Sequence, residues 1–241
     1  MQAQFLDDRG RLVKAPVSAL VGEPLEEREA VWQPSAHRSR KSIATWWWSS
    51  TTGKLVGCVS LERQRAAAAL DFDPRVTSFS GWPVRLSWTR PDGAEHTVVP
   101  DFVARSGAAR ELVVCPPGNV PTRGADRAPA WTEVQEVLDW ACGQAGWRLR
   151  VPQPASAVRT ANVARVAQFR HPRHHDAAST GALLAAFACP RPLREGVAAA
   201  GLPAAGALAR AYHLLWRQWL QFDWEVPLLA TSTVAACGDA R

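Results

Sequence analysis

The chain has 241 residues, 47% of them hydrophobic and 21% charged, with a formal net charge of +6. That composition excludes a disordered chain, a collagen and a coiled coil, and the length supports one or two domains with a proper core. The positive excess fits a polyanionic partner such as nucleic acid.

The longest apolar run, Gly181–Cys189, is nine residues, whereas a spanning helix needs roughly 20. No membrane segment is expected. Met1–Asp8 turns acidic early and lacks the apolar stretch of a secretory signal. Cys58, Cys115, Cys142, Cys189 and Cys237 are odd in number, far apart and without a Cys-x-x-Cys pair. Neither a disulfide framework nor a zinc ribbon is expected, and the cytoplasm is the natural compartment. Lysine occurs only at Lys14, Lys41 and Lys54.

Residues 1–44 read as an irregular arm, because Pro16, Pro24 and Pro34 interrupt regular structure. The arm ends in a basic cluster with Arg38, Arg40 and Lys41, a solvated loop or a phosphate contact. Trp46-Trp47-Trp48 suits a strand packed on both sides; base stacking is the other use of such aromatics. Val59–Leu70 reads as a helix with Ser60 as N-cap and a run of alanines. Ala66 and Ala69 leave space above Glu62. Pro74 ends that helix. Strands are predicted at Val76–Trp82, Val84–Thr89, His96–Arg105 and Glu111–Cys115, with Pro91-Asp92-Gly93 as a turn. Thr132–Gln144 is an amphipathic helix with Val134, Leu138 and Ala141 on one stripe. Trp147–Val151 reads as a strand, giving a mixed α/β core.

Val158–Phe169 reads as helical, and His171–His175 as a linker between domains. Short helices follow at Gly181–Ala188, Leu193–Ala199 and Ala204–Trp219, then a β-tail from Leu220 to Val234. Three helices and a small hairpin resemble a winged-helix module, over residues 176–241. In the helix Ala204–Trp219, Leu208, Ala211, Leu215 and Trp219 form a core stripe. Arg210, His213 and Arg217 lie on another face, solvated or available to DNA.

Asp101 is the most informative residue. On a continuous strand it shares a face with Val99 and Val103, and a carboxylate on an apolar face must be paired or bound to metal. Pro100-Asp101 at the start of a strand, then a turn, then the apolar strand Leu112-Val113-Val114-Cys115, resembles the scaffold of PD-(D/E)XK nucleases.

The surrounding order of motifs resembles the TnsA-type endonuclease subunits of heteromeric, Tn-seven-like transposons. Ser60-Leu61-Glu62-Arg63 is a shortened match to the family's Ser-x-Leu-Glu-Arg. Asp71-Phe72-Asp73-Pro74-Arg75-Val76 matches its second element, and Trp82-Pro83-Val84-Arg85-Leu86 the third, with Trp82 in place of Gln. Pro100-Asp101-Phe102 matches the fourth. Ala161-Asn162-Val163 and Phe169-Arg170-His171-Pro172-Arg173 are similar to the close of its nuclease domain. His213-Leu214-Leu215-Trp216, Asp223 and Pro227-Leu228 are similar to its C-terminal domain.

The resemblance implies a restriction-endonuclease-like α/β core over residues 45–170. It implies a Mg²⁺- or Mn²⁺-dependent nuclease that cuts the 5′ strands at transposon ends. Glu62 and Asp101 would be its catalytic acids, holding metal with the Val114 carbonyl. DNA, a separate DDE transposase subunit and an AAA+ ATPase regulator would be the partners. One element departs. The family's (Asp/Glu/Gln)-x-Lys falls on Val113-Val114-Cys115, and no lysine follows Lys54. The lysine supplies positive charge near the attacking water. A neutral thiol cannot, and a thiolate favours softer metals than magnesium. Glu111, Arg63 and Arg65 are the candidate substitutes. Two alternatives therefore stand beside the nuclease: a degenerate DNA-binding subunit of the same complex, and a stand-alone defence nuclease.

Overall fold

The computed structural model describes residues 1–34, 43–117 and 130–238. It is a mixed α/β structure with several small sheets and six α-helices among the described residues. The chain divides into two units, Met1–Leu70 with Arg75–Gln153, and Asp71–Pro74 with Pro154–Arg241. Among the described residues no helix is long and apolar enough to cross a membrane.

The first unit opens with an antiparallel hairpin, β1 (Gln2–Leu6) and β2 (Leu12–Pro16). Its turn is closed by Asp7, whose Oδ1 accepts the N–H of Arg9 and of Arg11, both at 2.9 Å. Residues 1–34 are therefore not an irregular arm. Ala3 and Phe5 alternate inward with period two and are buried. Pro16 sits at the end of β2, which lies at a sheet edge and so tolerates a residue without an N–H.

Next come β3 (Thr45–Trp48) and β4 (Leu55–Cys58), paired antiparallel, and helix α1 (Leu61–Phe72). The strands β5 (Val76–Gly81), β6 (Val84–Thr89), β7 (Glu95–Val98), β8 (Phe102–Ser106) and β9 (Ala109–Val113) follow. Helix α2 (Trp131–Ala145) and strand β10 (Arg148–Arg150) complete the unit.

The strand expected over His96–Arg105 is two strands in two sheets. β7 pairs with β6 in a sheet ordered β2-β1-β6-β7, and β8 pairs with β5 and β9 in a sheet ordered β10-β9-β8-β5. The chain changes sheets at residues 99–101, where Pro100 has no N–H to give to a ladder. Asp101 thus stands just before β8 rather than on a strand face with Val99 and Val103.

β5 and β9 pair antiparallel with β8 on either side, and β10 returns parallel to β9. A parallel return needs a crossover, and α2 supplies it. Leu138, Ala141, Cys142 and Ala145 on α2 pack into the core with Val103 and Leu112. α2 stops at Gly146, whose φ of 69° suits the left-handed cap, and Trp147 N–H donates to the Cys142 carbonyl at 2.8 Å.

The second unit contains α3 (Ala157–Val166), α4 (Ala177–Ala186), β11 (Arg191–Pro192), α5 (Leu193–Ala199), α6 (Ala204–Trp216), β12 (Leu220–Gln221) and β13 (Thr233–Ala236). Ser156 caps α3 by accepting Arg159 N–H at 3.0 Å, and Asp176 caps α4 by accepting Ser179 N–H at 2.8 Å. The three short strands run in the order β11-β13-β12. Phe72 belongs to this unit: its ring meets Trp224 at 4.9 Å, and its carbonyl accepts from Gln218 Nε2 at 2.5 Å.

The division falls at Gln153 and Pro154, not at residues 170–176. Residues 171–175 are no linker. Pro172–His174 forms a 3-10 turn, His174 packs on Phe169, and His175 packs on His213 and Trp219. α3 is held by Asn162, which donates to the carbonyls of Trp224 and Val226 and accepts from Leu228 N–H, each at 2.9 Å.

Candidate functional site

The site assembles where the start of α1 meets the ends of β8 and β9. Ser60 caps α1 by accepting Arg63 N–H at 3.3 Å, as the sequence predicts. Successive helical residues point about 100° apart, so Glu62 and Arg63 diverge. The Glu62 side chain is 64% exposed and that of Arg63 14%. Ala66 and Ala67 below them are buried, which lets this end of α1 lie close to the sheet.

Asp101 is fixed through its backbone and its side chain. Its carbonyl accepts Trp82 N–H at 3.1 Å. Its Oδ2 accepts Cys115 N–H at 2.7 Å, just beyond the end of β9. Phe102 pairs with Val113 in the ladder, so this carboxylate prolongs the contact between strands where the regular pairing has ended. Its Oδ1 accepts from Arg63 Nε at 3.3 Å. Burial pushes the Asp101 carboxyl above the usual carboxylate range, and the Arg63 charge and the Cys115 N–H pull against that.

Arg63 spends its other nitrogens on the same pocket. Nη2 donates to the carbonyls of Cys115 at 3.1 Å and Pro116 at 2.9 Å. Nη1 donates to Glu62 Oε2 at 3.2 Å. The guanidinium therefore touches both expected acids and two backbone carbonyls at once. Of the three candidate substitutes it alone enters the pocket. Arg65 is exposed. Glu111 is bound by Arg150 Nη1 at 3.0 Å, and it pairs with Ala104 in the β8–β9 ladder without a register shift. It does not stand in for the missing acid.

The expected Val114 carbonyl is not among the groups that Arg63 touches. Val114 continues the β9–β10 pairing and donates its N–H to the Arg150 carbonyl at 3.1 Å. The carbonyls reaching Arg63 come from the next two residues. Cys115, at the family's lysine position, is buried, and burial and the nearby Asp101 push its thiol up to about 12. It stays neutral near pH 7 and offers neither charge nor a soft thiolate ligand.

A divalent metal does not fit these residues as they stand. Mg²⁺ takes oxygen ligands at about 2.0–2.1 Å in an octahedron. Both Asp101 oxygens are engaged, Glu62 is held by Arg63, and the acid on β9, Glu111, is paired with Arg150. Among the described residues no group of three or more His, Cys, Asp or Glu could hold a metal ion.

Of the expected DNA contacts, Arg210 lies on α6 and Arg217 directly follows it. Arg38, Arg40 and Lys41 lie outside the described residues. Arg210 folds back along α6 so closely that a Cβ on Gly206 would lie 2.2 Å from its Nη1. Arg217 is exposed, with its guanidinium carbon 5.4 Å from the Trp219 ring centroid. His213 is core, not surface. It is 4% exposed, and its Nδ1 lies 2.7 Å from the Phe169 carbonyl. Ala211, Leu214, Leu215 and Trp216 are buried around it, because α6 packs against α3, α4 and α5.

Two participants escape sequence reasoning. The Pro116 carbonyl carries no side-chain signal. Trp82 has a φ of 54°, rare for a bulky residue, and is 2% exposed between Trp32 and Trp46. It needs Gly57 opposite, where a Cβ would come within 2.2 Å of its ring. No protein-family model matches this chain, and no curated protein matches it.

Proposed function

We propose that this chain is a DNA-binding subunit of a TnsA-type transposition complex, with a nuclease-like core whose pocket is closed by its own arginine. The observation that carries the reading is the place of Asp101. It stands immediately before β8, beside the end of β9 and the Cys115 N–H just beyond it, with α1 leading into the sheet and α2 returning the chain to parallel β10. That order is in keeping with the resemblance to PD-(D/E)XK nucleases, under which Val113 and Cys115 would stand at the family's catalytic positions.

The second unit supports a winged-helix reading. The element order α4, β11, α5, α6, β12, β13 and the sheet order β11-β13-β12 are in keeping with that reading. The net charge of +6 is in keeping with a DNA partner. On this reading the partners are transposon-end DNA, a DDE transposase subunit and an AAA+ ATPase regulator, in the cytoplasm.

Cleavage of the 5′ strand is the second reading, and one observation favours it: Glu62 and Asp101 both still border the pocket. It needs a metal that the present donor set does not accommodate. Function is decided by the site and not by the fold. The test is a mobility shift of DNA carrying the adjacent transposon end, with the neighbouring transposase present. A shift that weakens with rising salt supports the proposal. No binding under any condition ends it.

A further inference from the structure

We propose that the Arg63 guanidinium is the resident cation of this pocket, standing where a nuclease of this architecture would place its divalent metal. Glu62, Asp101 and the backbone carbonyls of Cys115 and Pro116, just beyond β9, surround one guanidinium. Every one of these groups is an oxygen acceptor. Hard divalent cations select such donors, and a guanidinium satisfies them equally well through N–H bonds.

Arg63 meets the geometric demand because it is anchored one helical turn from the Ser60 cap and is mostly buried. Each of its three nitrogens has a partner in the pocket. A second cation brought to the same oxygens would face this fixed charge with little intervening water. The absence of the lysine fits the same picture. With Cys115 at that position, Arg63 is the cation that the described residues place in the pocket, and it is already paired with Asp101. Arg63 thereby ties α1 to the end of β9 and keeps divalent cations out.

The proposal rests on the nuclease-like reading only for the expectation of a metal, and its test contains no DNA. Failure here and failure of DNA binding are therefore separate results. The full chain is titrated with Mn²⁺ alone, and free Mn²⁺ is read by its electron paramagnetic resonance signal. Wild type, Asp101→Asn, Arg63→Ala and Arg63→Ala/Asp101→Asn are compared. Wild type is expected to leave the signal unchanged. Arg63→Ala is expected to take up about one ion per chain, a typical oxygen-ligand site, and the double variant to lose it. If Arg63→Ala does not fold, Arg63→Gln replaces it, since the amide still donates to the carbonyls but carries no charge. Uptake by wild type that Asp101→Asn abolishes overturns the proposal. So does the absence of any gain in the folded arginine variants.

Discussion

Arg63 and Asp101, 38 residues apart in the chain, meet with Nε 3.3 Å from Oδ1, and both side chains are largely withdrawn from solvent. This contact joins the first turn of α1 to the entrance of β8. It also settles how an acid expected to hold metal is satisfied without one. Removing either partner strands a partly buried charge, which costs about 3 kcal/mol at the lower end of the range for buried pairs. Urea unfolding of Arg63→Met, Asp101→Ala and the double variant measures this. The two single losses should exceed the double loss by a coupling of about 1–3 kcal/mol. Additive losses would mean that the two side chains do not interact in solution.

The cysteines divide by environment. Burial pushes the thiols of Cys58, Cys115 and Cys142 up to about 12, whereas Cys189 is exposed and Cys237 is half-buried. Alkylation of native protein at mildly alkaline pH should label Cys189 first and leave the three buried thiols untouched until urea is added. Peptide mass spectrometry reads the sites. Rapid native labelling of Cys115 would contradict the closed pocket.

His213 makes the second unit sensitive to acid. Burial holds its imidazole below the usual value, and the charges of Arg217, His175 and His174 add to that, while the bond to the Phe169 carbonyl opposes it. A folded value below the unfolded one means that the unfolded chain takes up more protons as pH falls. Stability from the neutral ring is therefore complete above about pH 6.5 and drains away as pH drops toward the depressed folded value. Urea midpoints should fall on going from about pH 7.5 to about pH 5.5. In His213→Asn, whose amide still reaches Phe169, the fall should be smaller. An equal fall in both proteins would assign the effect elsewhere.

Gly57 is required by packing. A methyl group there would overlap the Trp82 ring, which is buried and cannot swing out. Gly57→Ala should cost about 1–3 kcal/mol, the usual penalty of overpacking. It should also disturb Asp101, since Trp82 N–H holds the Asp101 carbonyl. A neutral effect on the thermal midpoint would show that the hairpin β3–β4 adjusts freely.

Much of the fold was legible where one force dominates. β6 and α5 fall on their predicted bounds, and α1 and α2 lie within two residues of theirs, because alternation, capping and helical stripes act locally. The failures involve information that a linear pattern does not carry. The apolar alternation of His96–Arg105 runs on although the chain changes sheets, and only Pro100 marks the break. The prolines of the first 44 residues suggest an irregular arm, yet Pro16 closes an edge strand and Ala3 and Phe5 are core. In the site, Glu62 and Asp101 were found by motif, but which of Glu62 and Arg63 would face the pocket depends on the helix phase. That phase, set by the Ser60 cap, turns Arg63 inward. His213 was placed on a surface because only one stripe of α6 was counted as core, whereas neighbours cover it on several sides.

The central claim is a nuclease-like subunit that holds DNA without cutting it. The most direct measurement incubates the protein with end-labelled transposon-end DNA and the neighbouring transposase, in Mg²⁺ and in Mn²⁺. The same reactions are read for mobility shift and for strand nicking, with Asp101→Asn in parallel. The account predicts a shifted complex in wild type and no 5′-strand nicks that depend on Asp101. Nicks on the 5′ strand that vanish in a folded Asp101→Asn variant would contradict it.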